Sequence, residues 1–402
     1  MPRWPEPAAR ARAVSSTPFG ALSPIAARLR AEGRLFPLHI GDSYLLPAIE
    51  ARQIDLDHEP VHRYCPVAGL PAYRRMVADW VGPQLGLALG PENVVAAPGC
   101  TGALSQVATA LFDPGDEVLV VTPCWPLIFG ILRSQGLVPV EVPVGADGWP
   151  EADAGAFRRR LGEACGERTA GLYFCDPNNP AGFVCPRAYV EALRDVAVEH
   201  GLWLAVDVVY KDLIFDGVQW AVPLLAEERE VRERLVVTGS FSKSHLLAGH
   251  RAGFVIAPRE LEQLMARVVT HASYHASTSA QEMAMAALSA GPAEIERVRR
   301  SYVEGLEAAC GGLRPAYHRP QAGAFIFVDF RQQVDDAAGL LRLLVACMEA
   351  GVSLAPGEVF GADFGCFARL CFTATSPQRI VEAIGLLNAV VEGRSRPGHG
   401  GL

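Results

Sequence analysis

Residues 202–207 are the feature that most constrains the fold of this chain. The segment Leu-Trp-Leu-Ala-Val-Asp is almost entirely apolar and ends on the carboxylate of Asp207. An apolar run of this length, without polar alternation, is typical of a parallel strand that helices cover on both faces. The segment therefore predicts a layered α/β structure with Asp207 at the carboxyl end of a central strand.

A strand, turn and helix pattern recurs through the middle of the chain. Short apolar runs end in turns rich in glycine, proline, asparagine and serine, and helix-like segments follow most of them. This alternation predicts an open α/β sheet with helices on both faces. The predicted strands are 94–97, 117–121, 138–142, 170–174, 202–207, 235–238 and 255–257.

The two ends of the chain predict a smaller α+β part. Further helices are expected at 24–32, 71–81 and 284–309, and further strands at 36–42, 325–329 and 370–372. Residues 394–402 are rich in glycine, arginine and proline, and we expect them to be frayed.

The chain is too long for one compact core, because it has 402 residues. We expect an N-terminal arm with part of a small domain at 1–60, a large ligand-binding domain at 61–285 and a C-terminal small domain at 286–402.

Composition excludes several classes of protein. The net charge of −8 argues against a nucleic-acid partner, which needs a basic surface. Ten scattered cysteines without paired CxxC spacing predict reduced thiols in the cytoplasm and no metal site. No apolar segment is long enough to span a bilayer and no secretory signal is visible, so we expect no membrane partner.

Lys243 follows the predicted strand 235–238 in a run of hydroxyl and small residues. A lysine at a strand end with apolar neighbours can lose its proton and become a nucleophilic amine. The hydroxyls of Ser240 and Ser242 and the guanidinium of Arg251 are suited to a phosphate group. An amine beside a phosphate site is typical of pyridoxal phosphate (PLP), which lysine binds as a Schiff base. Taken alone, a solvated lysine in a polar turn is the more common situation.

Asp207 and Tyr210 suit the same cofactor. Asp207 would face the ring nitrogen of PLP and keep it protonated, which makes the ring an electron sink. Tyr210 would reach the phenolic oxygen of the ring. Each residue also has an ordinary structural explanation, because Asp207 could cap a turn and Tyr210 could be a packed aromatic side chain.

Three other turns carry residues of the same kind. Cys100 and Thr101 lie between a predicted strand and helix, where backbone N–H groups bind phosphate. Asn179 lies in a turn and could donate its amide to a cofactor oxygen and a substrate carboxylate. Trp125 could stack on the ring face. The alternatives are an ordinary turn asparagine and a core tryptophan.

In their order along the chain, these residues resemble the class I and II aminotransferases, which are PLP enzymes of fold type I. The resemblance covers about residues 35–390. The matching positions are Tyr64, Gly69, Arg74, Gly99, Cys100, Thr101, Gly102, Trp125, Asn179, Pro180, Ala181, Gly182, Asp207, Tyr210, Ser240, Phe241, Ser242, Lys243, Arg251, Pro356, Gly357 and Arg369. The resemblance implies a mostly parallel seven-stranded sheet flanked by helices, with a smaller α+β domain.

The resemblance also implies the role of each cofactor residue. Lys243 would carry PLP as an aldimine and move the substrate Cα proton. Asp207 would pair with the ring nitrogen, and Tyr210 and Asn179 would contact the ring oxygen. The phosphate would be bound by Cys100, through its backbone, together with Thr101, Ser240, Ser242 and Arg251.

Substrate and subunit contacts are implied in the same way. Arg369 would hold the substrate α-carboxylate in bidentate geometry, with Gly41 and Asn179 beside it. Tyr64 would reach the phosphate of a partner subunit, which implies a homodimer with shared sites. No arginine lies within residues 271–275, where a dicarboxylate-specific enzyme would need one, so a substrate with a second carboxylate is disfavoured.

These implications predict a cytoplasmic transaminase that passes the amino group of an amino acid to a 2-oxo acid. One alternative is a PLP enzyme of the same fold that catalyses elimination, replacement, cyclisation, decarboxylation or oxidation in specialised metabolism. Another is a non-catalytic regulator that binds an amino acid, but the first 35 residues are too short for a DNA-binding segment. The sequence assigns no role to His245, His250, His271 or His275.

Overall fold

The computed structural model describes residues 7–14, 23–55 and 57–393. These residues form a sheet of seven strands and a second sheet of four. The strands are β1 (Val94–Pro98), β2 (Glu117–Thr122), β3 (Val138–Pro143), β4 (Thr169–Cys175), β5 (Trp203–Asp207), β6 (Leu235–Ser240), β7 (Ala252–Ile256), β8 (Ala316–Tyr317), β9 (Phe325–Asp329), β10 (Ala355–Pro356) and β11 (Phe367–Cys371).

Helices surround both sheets, and none in the described part of the chain is long and apolar enough to cross a membrane. They are α1 (Ala9–Arg12), α2 (Ser23–Ala31), α3 (Ile49–Arg52), α4 (Pro71–Leu85), α5 (Gly99–Leu111), α6 (Leu127–Ser134), α7 (Ala154–Ala164), α8 (Arg187–Glu199), α9 (Arg229–Arg232), α10 (Glu262–Ala272), α11 (Thr278–Ser289), α12 (Pro292–Cys310), α13 (Ala337–Glu349) and α14 (Pro377–Val391).

The large sheet has the strand order β1-β7-β6-β5-β4-β2-β3. Strands β2 to β6 pair in parallel, whereas β7 is antiparallel to both of its neighbours, β1 and β6. The apolar segment that ends at Asp207 forms β5, and all of its residues after Trp203 are buried. The predicted α/β fold with a mostly parallel seven-stranded sheet is therefore confirmed.

The small sheet is antiparallel, with the order β10-β11-β9-β8. It belongs to a second apolar core, which combines Leu29 and Leu38 from the N-terminal part with residues such as Leu370 and Ile384 from the C-terminal part. The predicted smaller α+β part is thus present. Arg369 lies on β11, opposite Ala355 of β10 and Phe327 of β9.

Several local predictions were wrong. The strand expected at 36–42 is reduced to one bridge between Phe36 and Val352, because the following residues fold into tight turns. The long helix expected at 284–309 is divided into α11 and α12. Gly291 takes a φ of 79° between them, and Pro292 begins the second helix because it has no N–H to continue the first.

Other differences concern segments whose sequence pattern was overlooked. Helices α7 and α10 were not predicted, although each buries apolar residues, such as Phe157 in α7 and Met265 in α10. The helix predicted at 71–81 continues to Leu85. The segment 394–402 lies outside the described residues.

The central position of β5 can be tested with Leu204, which is fully buried between Leu172 of β4 and Leu235 of β6. We expect Leu204→Ala to leave a cavity and to lower the free energy of unfolding by about 2–5 kcal/mol. Leu341→Ala, on the exposed face of α13, is the control and should change it by less than about 0.5 kcal/mol. Equal losses in thermal unfolding of the two variants would contradict the central position of β5.

Candidate active site

A cavity of about 190 Å³ lies where β4, β5 and β6 end. In open α/β sheets, ligands bind outside the carboxyl ends of the strands. The cavity is lined by Cys100, Thr101, Trp125, Cys175, Asn179, Asp207, Val209, Tyr210, Ser240, Ser242, Lys243, Ala248 and Arg251. Every predicted site residue except Gly41, Tyr64 and Arg369 is part of this lining.

The Lys243 side chain lines this cavity, and its amine donates a hydrogen bond to the Gly41 carbonyl oxygen at 2.5 Å. Burial lowers the pKa of the amine; Cys371 and Asp42 oppose this change, and the positive charges of Arg369 and Arg251 add to it. A lower pKa increases the unprotonated fraction, which is the form that attacks a carbonyl group. The position therefore suits a nucleophilic amine.

Lys211 and Lys243 are the two lysines in the sequence, although the chain has 36 basic residues. The side chain of Lys211 is 1% exposed, and its ammonium pairs with Asp212 at 2.7 Å. The same ammonium lies 3.6 Å from the ring centre of Trp80 and donates to Gln84 at 3.1 Å. Lys211 is thus engaged inside the protein, and Lys243 is the lysine at the cavity.

Asp207 ends β5 and accepts a hydrogen bond from the Val209 N–H at 3.0 Å. Burial raises the pKa of this carboxyl from 3.8 to about 6, although Val209, Cys100 and Tyr173 oppose the change. A buried carboxylate whose pKa stays raised despite these groups is stabilised by a cation placed against it. The protonated ring nitrogen of PLP is a group of that kind.

Positive groups converge at the other end of the cavity. Helix α5 begins at Gly99, and Cys100 and Thr101 in its first turn line the cavity. Gly99 has a φ of 72°, a left-handed conformation that favours glycine, and a Cβ there would lie 2.4 Å from a guanidinium nitrogen of Arg251. Arg251 also donates to the Ala248 carbonyl at 2.8 Å. A helix N-terminus beside a guanidinium is suited to a phosphate group.

The remaining lining residues provide hydroxyl groups and aromatic walls. Ser240 is the last residue of β6, and Ser242 directly precedes Lys243. Trp125 lies just before α6. Tyr210 is buried, and its ring meets the edge of Phe325 with the ring centres 5.9 Å apart. These groups line the same cavity as the amine of Lys243 and the carboxylate of Asp207.

Arg369 is hydrogen-bonded to one residue of the cavity lining. It donates to the side-chain oxygen of Asn179 at 2.9 Å and to the His39 carbonyl at 2.8 Å. Its guanidinium lies 4.1 Å from the ring centre of Phe325. The Nε atom of Arg369 is buried without a hydrogen-bond partner in the described part of the chain. A buried guanidinium with an unused donor is suited to an anionic ligand.

Gly41 and Tyr64 lie outside the cavity lining. Gly41 touches the site through its carbonyl, and a Cβ at this position would come within 2.6 Å of the Phe325 ring. Tyr64 is 83% exposed and packs against Tyr274 and His275, with ring centres 4.8 Å and 5.6 Å away. Within one chain, Tyr64 therefore does not reach the cavity.

The four histidines near Lys243 in sequence do not line the cavity among the described residues. His245 is buried against Trp80 and Phe241, and burial lowers its pKa to about 4. His250 and His271 are exposed, and His275 is part of the Tyr64 cluster.

Sequence reasoning missed several residues of the site. Cys175, Val209 and Ala248 line the cavity, but small apolar residues carry no chemical signal. Phe325 was placed on a strand without its contact to Arg369. The scarcity of lysine was visible in the sequence and would have strengthened the interpretation of Lys243.

Comparison with known proteins agrees with this geometry. The family model for class I and II aminotransferases matches residues 36–387. An aspartate/prephenate aminotransferase of Thermus thermophilus is 32% identical over 80% of this chain and 81% of its own length. An arginine–pyruvate transaminase of Pseudomonas aeruginosa is 32% identical over 76% and 77%.

A solved structure of Thermus thermophilus aspartate aminotransferase, a double mutant, aligns with a TM-score of 0.86 and 28% identity. The alignment covers 96% of this chain and all of the solved chain. The chain belongs to the class I and II aminotransferase family. Its activity is that of a transaminase, which transfers an amino group.

The burial of Asp207 predicts that the cofactor-free protein becomes less stable as the pH rises. The carboxyl has a higher pKa in the folded chain (about 6) than its usual value of 3.8, so its contribution to stability is lost as the pH rises through about 6. At about 1.4 kcal/mol per pH unit, the ionised form costs about 3 kcal/mol. We expect Asp207→Asn to stabilise the cofactor-free protein at pH 8 and to do so by roughly half as much at pH 5, where the folded carboxyl is still mostly protonated.

Thermal unfolding at both pH values measures this difference. Asp335→Asn is the control, because Asp335 is exposed and should change little at either pH. A loss of stability in Asp207→Asn at pH 8 would contradict an uncompensated buried carboxylate.

Proposed function

We propose that this protein binds PLP through Lys243 and transfers the amino group of an α-amino acid to a 2-oxo acid. The observation that carries the proposal is the arrangement around one cavity. It combines an amine of lowered pKa at Lys243, a buried carboxylate at Asp207, and a guanidinium at Arg251 beside the start of α5. These are the three partners that a pyridine ring with an aldehyde and a phosphate requires.

Different residues of the site would bind different parts of the cofactor. Arg251, Ser240, Ser242 and the backbone at Cys100 and Thr101 would hold the phosphate. Asp207 would keep the ring nitrogen protonated, while Trp125 covers a ring face. Tyr210 and Asn179 would donate to the ring oxygen. PLP supplies a protonated ring that takes up the electron pair left when the substrate Cα–H bond breaks.

Lys243 would act as the base once the substrate amine has displaced its own. Its Nζ would take the proton from the substrate Cα and later deliver a proton to the cofactor carbon that receives the amino group. Burial supports this role, because it lowers the pKa of the amine towards neutral pH. The Gly41 carbonyl, which accepts a hydrogen bond from Nζ, would orient the amine in the resting protein.

Arg369 would bind the α-carboxylate of the substrate, assisted by Asn179 and Gly41. Its buried, incompletely paired guanidinium supports an anionic ligand at that position. The relatives differ in the amino acid that they are named for, aspartate in one and arginine in another. They therefore support an α-amino acid donor and a 2-oxo acid acceptor without selecting a side chain.

We also propose a cytoplasmic homodimer in which Tyr64 serves the phosphate site of the partner subunit. Tyr64 supports this arrangement because it is exposed, lies on an aromatic cluster and is outside the cavity of its own chain. The ten cysteines are free thiols, as expected in a reducing compartment. The proposed domains are an N-terminal arm with part of the small domain at 1–60, a large domain at 61–285 and a C-terminal small domain at 286–402. The core that combines Leu29 with Leu370 supports a small domain built from both ends of the chain.

Replacement of Lys243 tests the proposed function most simply. Wild-type protein with added PLP should show the visible absorption band of lysine-bound cofactor, and Lys243→Ala should lack it. Wild-type protein should then convert amino acids to 2-oxo acids, and Lys243→Ala should lose at least about 10³-fold of that rate, because the base and the covalent anchor are lost together. Lys211→Arg keeps the buried positive charge and serves as the control that retains the band.

The products distinguish this activity from its alternatives. Amino acids from each side-chain class are supplied with a 2-oxo acid, and new amino acid, ammonia and carbon dioxide are measured separately. Release of ammonia or carbon dioxide in place of amino-group transfer would contradict transamination. A wild-type protein that gains no band with PLP would contradict the cofactor.

Shared sites predict complementation between two inactive variants. Tyr64→Ala and Lys243→Ala, unfolded and refolded together, would form hybrid dimers with one native site. We expect the equal mixture to recover roughly a quarter of wild-type activity at limiting PLP. The absence of recovery, with dimers confirmed by sedimentation, would contradict a contribution of Tyr64 across the interface.

A further inference from the structure

Tyr173 lies on β4 beneath the proposed cofactor site. The register of β4 and β5 sets Tyr173 beside Ala205 and Cys175 beside Asp207. Residues two apart on a strand point to the same face of a sheet. The side chains of Tyr173 and Asp207 therefore lie on one face of neighbouring strands, one layer apart.

The Tyr173 hydroxyl is a buried group that the described residues leave without a hydrogen-bond partner. The residue is 1% exposed. A buried hydroxyl in this state is costly, and in native structures it usually has an explanation. The proposed chemistry does not involve this hydroxyl.

The two groups influence each other electrostatically. Burial raises the pKa of Tyr173 well above its usual range, and Asp207 is the charged group that adds most to the increase. In turn, the Tyr173 hydroxyl opposes the increase that burial causes in the pKa of Asp207. Both effects require the hydroxyl and the carboxylate to be close neighbours.

We propose that Tyr173 is a positioning residue for Asp207, whose carboxylate receives the Tyr173 hydroxyl hydrogen bond when the ring nitrogen of the cofactor engages it. This inference rests on the proposed function. The ionised carboxylate of Asp207 needs hydrogen-bond donors, and this need is the reason for the contact. An ionised carboxylate has two oxygens that accept several donors, and Val209 provides one of them at 3.0 Å.

A carboxylate that lacks donors in the protein interior takes up a proton and becomes neutral. Neutral Asp207 could not hold the ring nitrogen protonated, and the ring would lose its capacity to store electrons. The Tyr173 hydroxyl is on the same face of the sheet as Asp207 and has no other hydrogen-bond partner among the described residues. It would therefore keep Asp207 ionised in the form that the cofactor requires.

A purely structural tyrosine predicts a different pattern of effects. If the hydroxyl only supported the core, its loss would weaken the cofactor-free and cofactor-bound proteins alike. If it serves Asp207 in the bound state, its loss changes the stability of the cofactor-free protein little, because the hydroxyl makes no hydrogen bond among the described residues. The loss would then weaken mainly the bound protein.

Tyr173→Phe, compared with Tyr189→Phe, tests the proposal. Tyr189 is an equally buried tyrosine whose hydroxyl accepts from the Glu151 N–H at 2.8 Å, away from the cavity lining. The measurements are thermal unfolding without cofactor, the Kd for PLP, and the ¹⁵N resonance of ring-labelled PLP across a pH series.

For Tyr173→Phe we expect unchanged cofactor-free stability, PLP affinity weakened about tenfold, and a ring nitrogen that loses its proton at a lower pH. For Tyr189→Phe we expect the reverse, which is lower cofactor-free stability with unchanged affinity and resonance. Unchanged affinity and resonance in Tyr173→Phe would overturn the inference while leaving the proposed function intact. A wild-type protein that does not bind PLP would overturn both.

Discussion

The site depends on the burial of ionisable groups at the carboxyl end of the large sheet. Asp207 and the amine of Lys243 border one cavity, and Arg369 is buried and bonded to Asn179 of its lining. Each has fewer partners than its charge requires, since Lys243 has the Gly41 carbonyl and Arg369 has an unused donor. Such burial costs stability in the protein alone and becomes favourable when a ligand of complementary charge enters. The same burial tunes the pKa values that the chemistry needs.

Phe325 joins the two sheets at this point. It lies on β9 of the small sheet, yet its ring fills the space that a side chain at Gly41 would need. The guanidinium of Arg369 and the ring of Tyr210 both lie against it. One apolar side chain therefore contacts both the proposed carboxylate-binding arginine and a residue of the proposed cofactor site.

The sequence was sufficient for the large sheet because its signal is local. Apolar runs such as the one that ends at Asp207 are typical of parallel strands covered on both faces. The polar residues at the ends of such strands then meet at the carboxyl edge of the sheet. The site residues followed from the same geometry, together with a resemblance that connected them. Tertiary contacts could not be inferred in this way. Residues 36–42 lost their strand to tight turns, and Phe325 and Tyr173 act through neighbours that are distant in sequence.

The central claim is that Lys243 is the covalent anchor of the cofactor, and the composition of the chain makes it directly measurable. Lys211 and Lys243 are the two lysine side chains that could carry a reduced cofactor adduct. Wild-type protein is incubated with PLP, reduced with borohydride, digested and mapped by mass spectrometry. The account predicts a stoichiometric phosphopyridoxyl group on the peptide that contains Lys243 and none on Lys211. Labelling of Lys211, or of neither lysine, would contradict it.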